Sequence, residues 1–292
     1  MKHGHNPEST MQLIDTHQHL ILRDSLRYGW TDGISALGGA FTREDYASLV
    51  EDRGVIGTVF METGVDDADY QVEARLVAGM VGTGDLPMLG QIASCRPEQD
   101  DGFEAWLEEC GDLNVVGFRR ILHVMPDDTS GSETFRRNLR RIGAAGWPVD
   151  LCFAARQLDL AEELVCACPD VAFVLDHFGT NDMAPGGFEG WRDSMSRLAD
   201  LPNLWVKFSG MTAYLPPDAG PVDPVAAVAR TALDLFGPDR LIWGGDWPVV
   251  DLGVGLPGWI AMTHDLLAGL SDDERRLIGH RNARLFYSLP EQ

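Results

Sequence analysis

His17 and His19 stand two apart in "LIDTHQHLI", the stretch Leu13 to Ile21, at the end of an apolar run. Residues two apart on a strand face the same side. Two imidazoles so placed reach one metal ion. Asp15 shares the spacing and is expected to point the same way. Asp246 stands in "GGDWP", between two glycines and a proline that stops a strand. A carboxylate held near histidines, a cation or a metal takes a proton from water and returns it to a leaving oxygen, so Asp246 is the candidate general base. His177, in "LDHFG", is a candidate for the same centre, as catalytic group or ligand, with Asp176 beside it. Arg119 and Arg120 adjoin each other in "VVGFRRIL", so one of them faces inward. Arginine grips a carboxylate with two donors, whereas lysine is a point charge. Arg119 and Lys207, the latter in "VKFSG", are therefore expected to hold a carboxylate or hydroxyls of a substrate. His123 and Trp247 are expected beside them, and Trp30 and Tyr214 are further candidates to stack on an apolar ring face. A second His-x-His pair, His3 and His5 in "KHGHN", follows no apolar run and is expected to form no preorganised site.

Elements that would position these groups are legible in the pattern. Short apolar runs alternate with helix-period runs. The strand-like runs are "QLIDTHQH", "VIGTVFMET", "PMLGQIAS", "NVVGFRRIL", "WPVDLCF", "VAFVLDHFG", "NLWVKFSGM" and "RLIWGGDWPVV". Helical runs are expected to begin near Thr42, Tyr70, Phe103, Glu133, Gln157, Glu189, Val225 and Pro257. A last one opens at Ser271, with Glu274 three residues on as a capping partner. Eight strand–helix units in 292 residues predict an α/β fold, a (β/α)8 TIM barrel. No glycine-rich phosphate loop follows the first strand, as a doubly wound sheet would ask. Residues 1–12 are expected to be loose and 13–292 to form a single barrel domain. A barrel does its chemistry at the C-terminal ends of its strands. His17, His19, Arg119, His177, Lys207 and Asp246 all fall at such ends. The glycine- and proline-rich pieces "NDMAPGGFEG" and "LPPDAGPVDP" are expected to be active-site loops.

Composition narrows the partners. The formal net charge of −22 argues against nucleic acid and anionic membrane surfaces. It leaves room for an anionic small substrate in a cationic cleft. Of 23 basic residues only Lys2 and Lys207 are lysine, the rest arginine, which singles out Lys207. No apolar run has the length of a membrane span and no signal peptide is visible, so the expected location is cytoplasmic. Cys95, Cys110, Cys152, Cys166 and Cys168 match no zinc-knuckle spacing and are expected to be buried free thiols. A homo-oligomer is left open.

"DTHQH", "VLDHFG", "VKFSG" and "RLIWGGDWPV" together resemble the amidohydrolase superfamily. More narrowly, they are similar to its sugar-lactonase branch, which includes L-fuconolactonase and 2-pyrone-4,6-dicarboxylate lactonase. "VVGFRRIL", "AARQLD" and "HRNARLFY" resemble other pieces of that branch, so the likeness spans nearly the whole chain. It implies a distorted, amidohydrolase-like barrel and a hydrolase that opens lactones. In the wider superfamily, histidines on strand one, a lysine or carboxylate on strand four, histidines on strands five and six and an aspartate on strand eight hold one or two metals. His17, His19, His177 and Asp246 match that set. Strand four offers only arginine and "WPVDLCFAAR" holds no histidine, which disfavours a binuclear centre. One divalent ion, zinc by donor type, and no metal at all both stay open.

The expected activity is therefore opening of a sugar-acid or carboxylated lactone by an activated water. The rivals are a decarboxylase or lactone isomerase on the same scaffold, a phosphoesterase, and an inactive barrel that only binds a small molecule.

Overall fold

The structure, a computed structural model, describes residues 11–215 and 223–291. Eight strands lie in chain order in one parallel sheet. They are β1 (Leu13–Gln18), β2 (Val55–Met61), β3 (Met88–Ser94), β4 (Val115–Ile121), β5 (Val149–Cys152), β6 (Phe173–Leu175), β7 (Leu204–Phe208) and β8 (Leu241–Trp243). Between them run α1 (Arg43–Val50), α2 (Tyr70–Ala78), α3 (Phe103–Cys110), α4 (Glu133–Ala144), α5 (Leu158–Ala167), α6 (Phe188–Ala199), the single turn α7 (Met211–Tyr214) and α8 (Pro224–Phe236). After β8 come α9 (Gly255–Leu266), α10 (Asp272–Arg276) and α11 (Asn282–Phe286), the last two joined by a π turn. The expected TIM barrel is thus present, and the expected helix starts lie at or beside the observed ones. Capping explains two of them. Thr42 and Asp45 close a reciprocal box at α1, and Ser271 and Glu274 do so at α10.

Alternation along the strands makes two cores. Leu13, Phe60, Phe118, Leu175, Phe208 and Trp243 join the layer between sheet and helices. Ile14, Val59, Met61, Ile92, Val174 and Ile242 pack inside the barrel, where Tyr287 and Leu289, following α11, join them. The barrel closes late. β8 ends at Trp243, and the join to β1 is made one turn higher. There the Asp246 amide donates to His17 O (2.8 Å), and the His19 amide to Trp247 O (2.8 Å). The seam of the barrel is therefore the place where the candidate histidines and aspartate meet.

β1 carries an irregularity there. Asp15 pairs with Thr58 but Gln18 with Phe60, so β1 spends an extra residue against β2. Asp15 consequently does not share the histidines' direction, which corrects the expectation from spacing. Its Oδ2 turns to α1 and accepts from the Tyr46 hydroxyl (2.6 Å), while Oδ1 accepts from the amides of His17 (2.9 Å) and Gly245 (2.7 Å). A Cβ on Gly245 would lie 2.3 Å from Asp15 Oδ2, so the approach demands glycine.

Two smaller expectations need correcting. Cys166 is exposed, while the other four thiols are buried. Met11, inside the segment expected to be loose, packs against the core. His3, His5 and most of "LPPDAGPVDP" lie outside the described residues. Among the described residues, no helix is long and apolar enough to cross a membrane.

Candidate active site

Three imidazoles converge on one carboxylate oxygen. Asp246 Oδ1 lies 3.7 Å from His17 Nε2, 3.5 Å from His19 Nε2 and 3.9 Å from His177 Nε2. The other ring nitrogens point away to separate anchors. His19 Nδ1 donates to the Met61 carbonyl (3.0 Å), which orients the ring with Nε2 toward Asp246. His177 Nδ1 meets Ser209 Oγ (3.0 Å), and His17 Nδ1 lies 3.4 Å from Asp176 Oδ1. The backbone bends to achieve this. His177 and Asp246 hold left-handed conformations (φ 51° and 58°), an uncommon and strained state for residues with side chains. Gly210 (φ 68°) makes room beneath them, since a Cβ there would stand 2.4 Å from His177 Nδ1 and 2.8 Å from Asp246 Oδ2.

This cluster is buried, and its polar atoms are not all matched. Both oxygens of Asp246 and of Asp176, and His17 Nδ1, are buried without a hydrogen-bond partner among the described residues. Such groups are costly unless something else meets them. Burial pushes the Asp246 carboxyl above its ordinary range, with His19 and Arg119 opposing the shift. Burial also holds the His17 and His177 imidazoles well below theirs. Lys207, His19 and Arg119 add to the effect on His17, and His17 is the next largest influence on His177. Neutral imidazoles and an unmatched carboxylate are the donor set of a nitrogen- and oxygen-liganded divalent ion. His17, His19 and Asp246 form one group able to hold an ion, and His17, Asp176 and His177 another. Ligands about 2.1 Å from an ion in a tetrahedron stand about 3.4 Å apart, close to the separations seen.

Arg119 bounds the cluster on the β4 side. Its Nε donates to Glu62 Oε1 (2.7 Å), its Nη2 to the Glu62 carbonyl (2.6 Å), and its Nη1 lies 3.2 Å from His17 Nε2. Glu62 is held below its usual pKa despite burial, because Arg119 faces it. Above the cluster opens a cavity of about 420 Å³. Its lining includes Glu62, Ser94, Arg96, Arg119, Arg120, His123, His177, Asn181 and Tyr214, with Trp30, Ile34, Val65, Ile121 and Leu252 as its apolar part.

The two neighbouring arginines both reach this cavity, against the expectation that only one would. Arg119 lies deep, and Arg120 lies against Glu98 (2.5 Å). His123 lines the wall, its Nδ1 3.3 Å from Cys152 Sγ. Two expected substrate contacts are not brought there. Lys207 is wholly buried below the histidines. Its ammonium pairs with Asp150 and donates to the Thr16 carbonyl (3.1 Å), 3.6 Å from Asp176. Burial drives Asp150 up to about 7, against the pull of Lys207. Trp247 is buried between the rings of Phe41 and Tyr46, outside the cavity. The left-handed turn at Asp246 sends its carboxylate inward and the next side chain outward. Glu62, Ser94 and Arg96 were not expected here. Each lies at or just after the C-terminal end of β2 or β3, so the rule that found the others would have found them.

Comparison with known proteins agrees with this architecture. A family profile described as "Amidohydrolase" matches residues 14–289. The chain is 28% identical over 297 residues to an L-fucono-1,5-lactonase of Burkholderia ambifaria, covering 94% of this chain and 95% of that one. It is 29% identical over 209 residues to a 4-sulfomuconolactone hydrolase of Rhizobium radiobacter, covering 70% and 65%. A zinc-bound amidohydrolase structure from Burkholderia multivorans superposes with a TM-score of 0.83 at 21% identity, covering 96% of this chain and all of that one.

Proposed function

The chain belongs to the amidohydrolase family, and we propose on that premise that it is a hydrolase that opens a lactone ring with an activated water. The carrying observation is the convergence of His17, His19 and His177 on the unmatched carboxylate of Asp246. The names of the lactonase relatives support the reaction class. They leave open whether the substrate is a neutral sugar-acid lactone or one bearing an anionic group.

The Asp246 carboxylate takes a proton from water, and the oxygen so freed attacks the lactone carbonyl carbon. The ring C–O bond then breaks, and the same carboxyl returns the proton to the departing alkoxide. His177, neutral and held by Ser209, donates toward the carbonyl oxygen as charge grows there. Asp246 meets its water in a buried site, where its raised pKa makes it a stronger base than a surface carboxylate. His17, His19 and Asp246 are the residues that would hold one divalent ion, for which zinc suits the donors best. Such an ion supplies Lewis acidity and a lowered water pKa. His123 and Arg119 line the space where the ring would lie and contact its substituents.

A second reading has its own observation. Arg119 Nη1 already engages the lone pair of His17 Nε2. A centre that keeps this contact works without an ion, with Arg119 as its resident cation. Metal analysis of the purified protein, together with turnover before and after chelation, decides between the two. A screen of lactones by acid release tests the reaction itself. If no lactone is hydrolysed, and an unsaturated acid instead loses carbon dioxide, the hydrolase reading fails.

A further inference from the structure

We propose that the cavity selects an uncharged, hydroxylated lactone and turns away lactones that carry a carboxylate or sulfonate. The inference rests on the lactonase reading and names which of its substrate classes this chain takes. Three arginines line the cavity, which at first suggests an anion site. Each already faces a carboxylate. Arg119 spends Nε and Nη2 on Glu62 and Nη1 on His17. Arg96 spends Nε on Asp67 (2.7 Å) and Nη1 on Ser94 Oγ and the Cys95 carbonyl (both 2.8 Å), with its plane over the Tyr70 ring. Arg120 is paired with Glu98. Lys207 lies outside the cavity against Asp150.

An anionic substituent would therefore find no spare cation. It would have to compete with a carboxylate for each arginine, with exposed Asp67 for Arg96, part-buried Glu98 for Arg120 and buried Glu62 for Arg119, and leaving Glu62 buried and unpaired is strongly unfavourable. Beneath the cavity it would also meet Asp176 and Asp246. Even one divalent ion there only offsets those two groups. The chain's net charge of −22 adds a long-range penalty for anions.

Unmatched atoms in the wall favour hydroxyls instead. Asn181 Oδ1 is buried and without a partner, and it borders the cavity. An amide oxygen accepts from a hydroxyl and repels a carboxylate. Arg120 Nε is also buried and unpartnered. It donates to a hydroxyl or a carboxylate oxygen alike, so the discrimination falls to Asn181. The apolar rim of Trp30, Val124 and Leu252 is open to solvent and suits the carbon face of a ring.

The test uses stereochemically matched pairs of an aldonolactone and the aldarolactone that differs only by carboxylate for hydroxymethyl. Both kcat/KM and calorimetric affinity are measured on the protein as purified, at fixed ionic strength. The neutral member is expected to lead by about tenfold or more in the best pair. Asp67→Asn, which removes the partner of Arg96, is expected to narrow that ratio by raising the carboxylated member. Equal or better use of the carboxylated member by the wild type overturns the proposal, as does an unmoved ratio in Asp67→Asn. If neither member is hydrolysed but the neutral one binds more tightly, charge selection stands and the lactonase reading falls. If neither binds in any pair, both fall.

Discussion

The seam between β1 and β8 is buried and the arginine-lined wall of the cavity is partly so; both are charged, but they are finished to different degrees. At the seam, Asp246 and Asp176 offer four carboxylate oxygens with no hydrogen-bond partner, and the cations near Asp176, Lys207 and Arg119, stand off at 3.6 and 3.5 Å. On the wall, Arg96, Arg119 and Arg120 each face a carboxylate within 2.7 Å. A folded chain tolerates unmatched buried charge only where something else meets it or where reactivity requires it. The seam is therefore the place for an ion, a water or a reacting carbonyl, and the wall is scaffolding that shapes what enters. Lys207 belongs with the wall in this sense, since Asp150 already holds it.

The sharpest way to break that contrast is to take charge from the seam. Asp246→Asn keeps the shape and removes the base. Turnover is expected to fall by about 10²–10⁴-fold, with the circular dichroism spectrum and melting temperature close to wild type. A fully active variant would place the base elsewhere. His17→Ala and His19→Ala come next. Each removes a donor from the group that can hold an ion, so bound metal measured by mass spectrometry is expected to drop to a small fraction of the wild-type content. A wild type that carries no metal, yet turns over lactone, would favour the arrangement with Arg119 on His17.

Lys207→Met tests the other half of the comparison. It leaves Asp150 without its buried cation and Asp176 with Arg119 alone, and breaking such a pair costs about 3–5 kcal/mol. Denaturant unfolding reads this directly. The double variant Lys207→Met, Asp150→Leu is expected to recover much of the loss, as replacing both partners of a buried pair often does. A stable single variant with a raised KM would return Lys207 to the substrate, the role its sequence position suggests.

That last outcome shows where reading the chain alone stops. Strand–helix alternation gave the barrel because each element must bury one face. The strand-end rule then found His17, His19, His177, Arg119 and Asp246, since side-chain direction has a period of two and needs no partner to be read. Depth does not follow from that period. Lys207 and Asp150 both point inward, and whether they lie in the cavity or one layer under it depends on the stagger of β5 to β7. Facing also fails where the backbone departs from a regular strand. The irregular step in β1 sends Asp15 outward, and the turn at Asp246 does the same to Trp247. Glu62 is different: the strand-end rule places it, but its pairing with Arg119, which folding brings to it from 57 residues away, is not in the pattern.

The smallest expected effect lies behind the wall, at Glu73. This wholly buried carboxyl accepts from the Thr63 amide (3.2 Å). Burial raises its pKa well above the ordinary value, and the negative charge of Glu62 raises it further. The folded protein therefore keeps a proton that the unfolded chain releases above about pH 4.3. The contribution of Glu73 to stability falls as pH rises from there until the folded group itself ionises, because at this group the unfolded state binds fewer protons. Glu73→Gln keeps an oxygen for Thr63 and removes the titration. The variant is expected to match the wild type near pH 4 and to become the more stable of the two as pH rises toward 8, by a margin visible in melting temperature. A difference that stays flat with pH would mean Glu73 is ionised in the folded state. The wall would then share the seam's unmatched charge, and the contrast between the two regions would weaken.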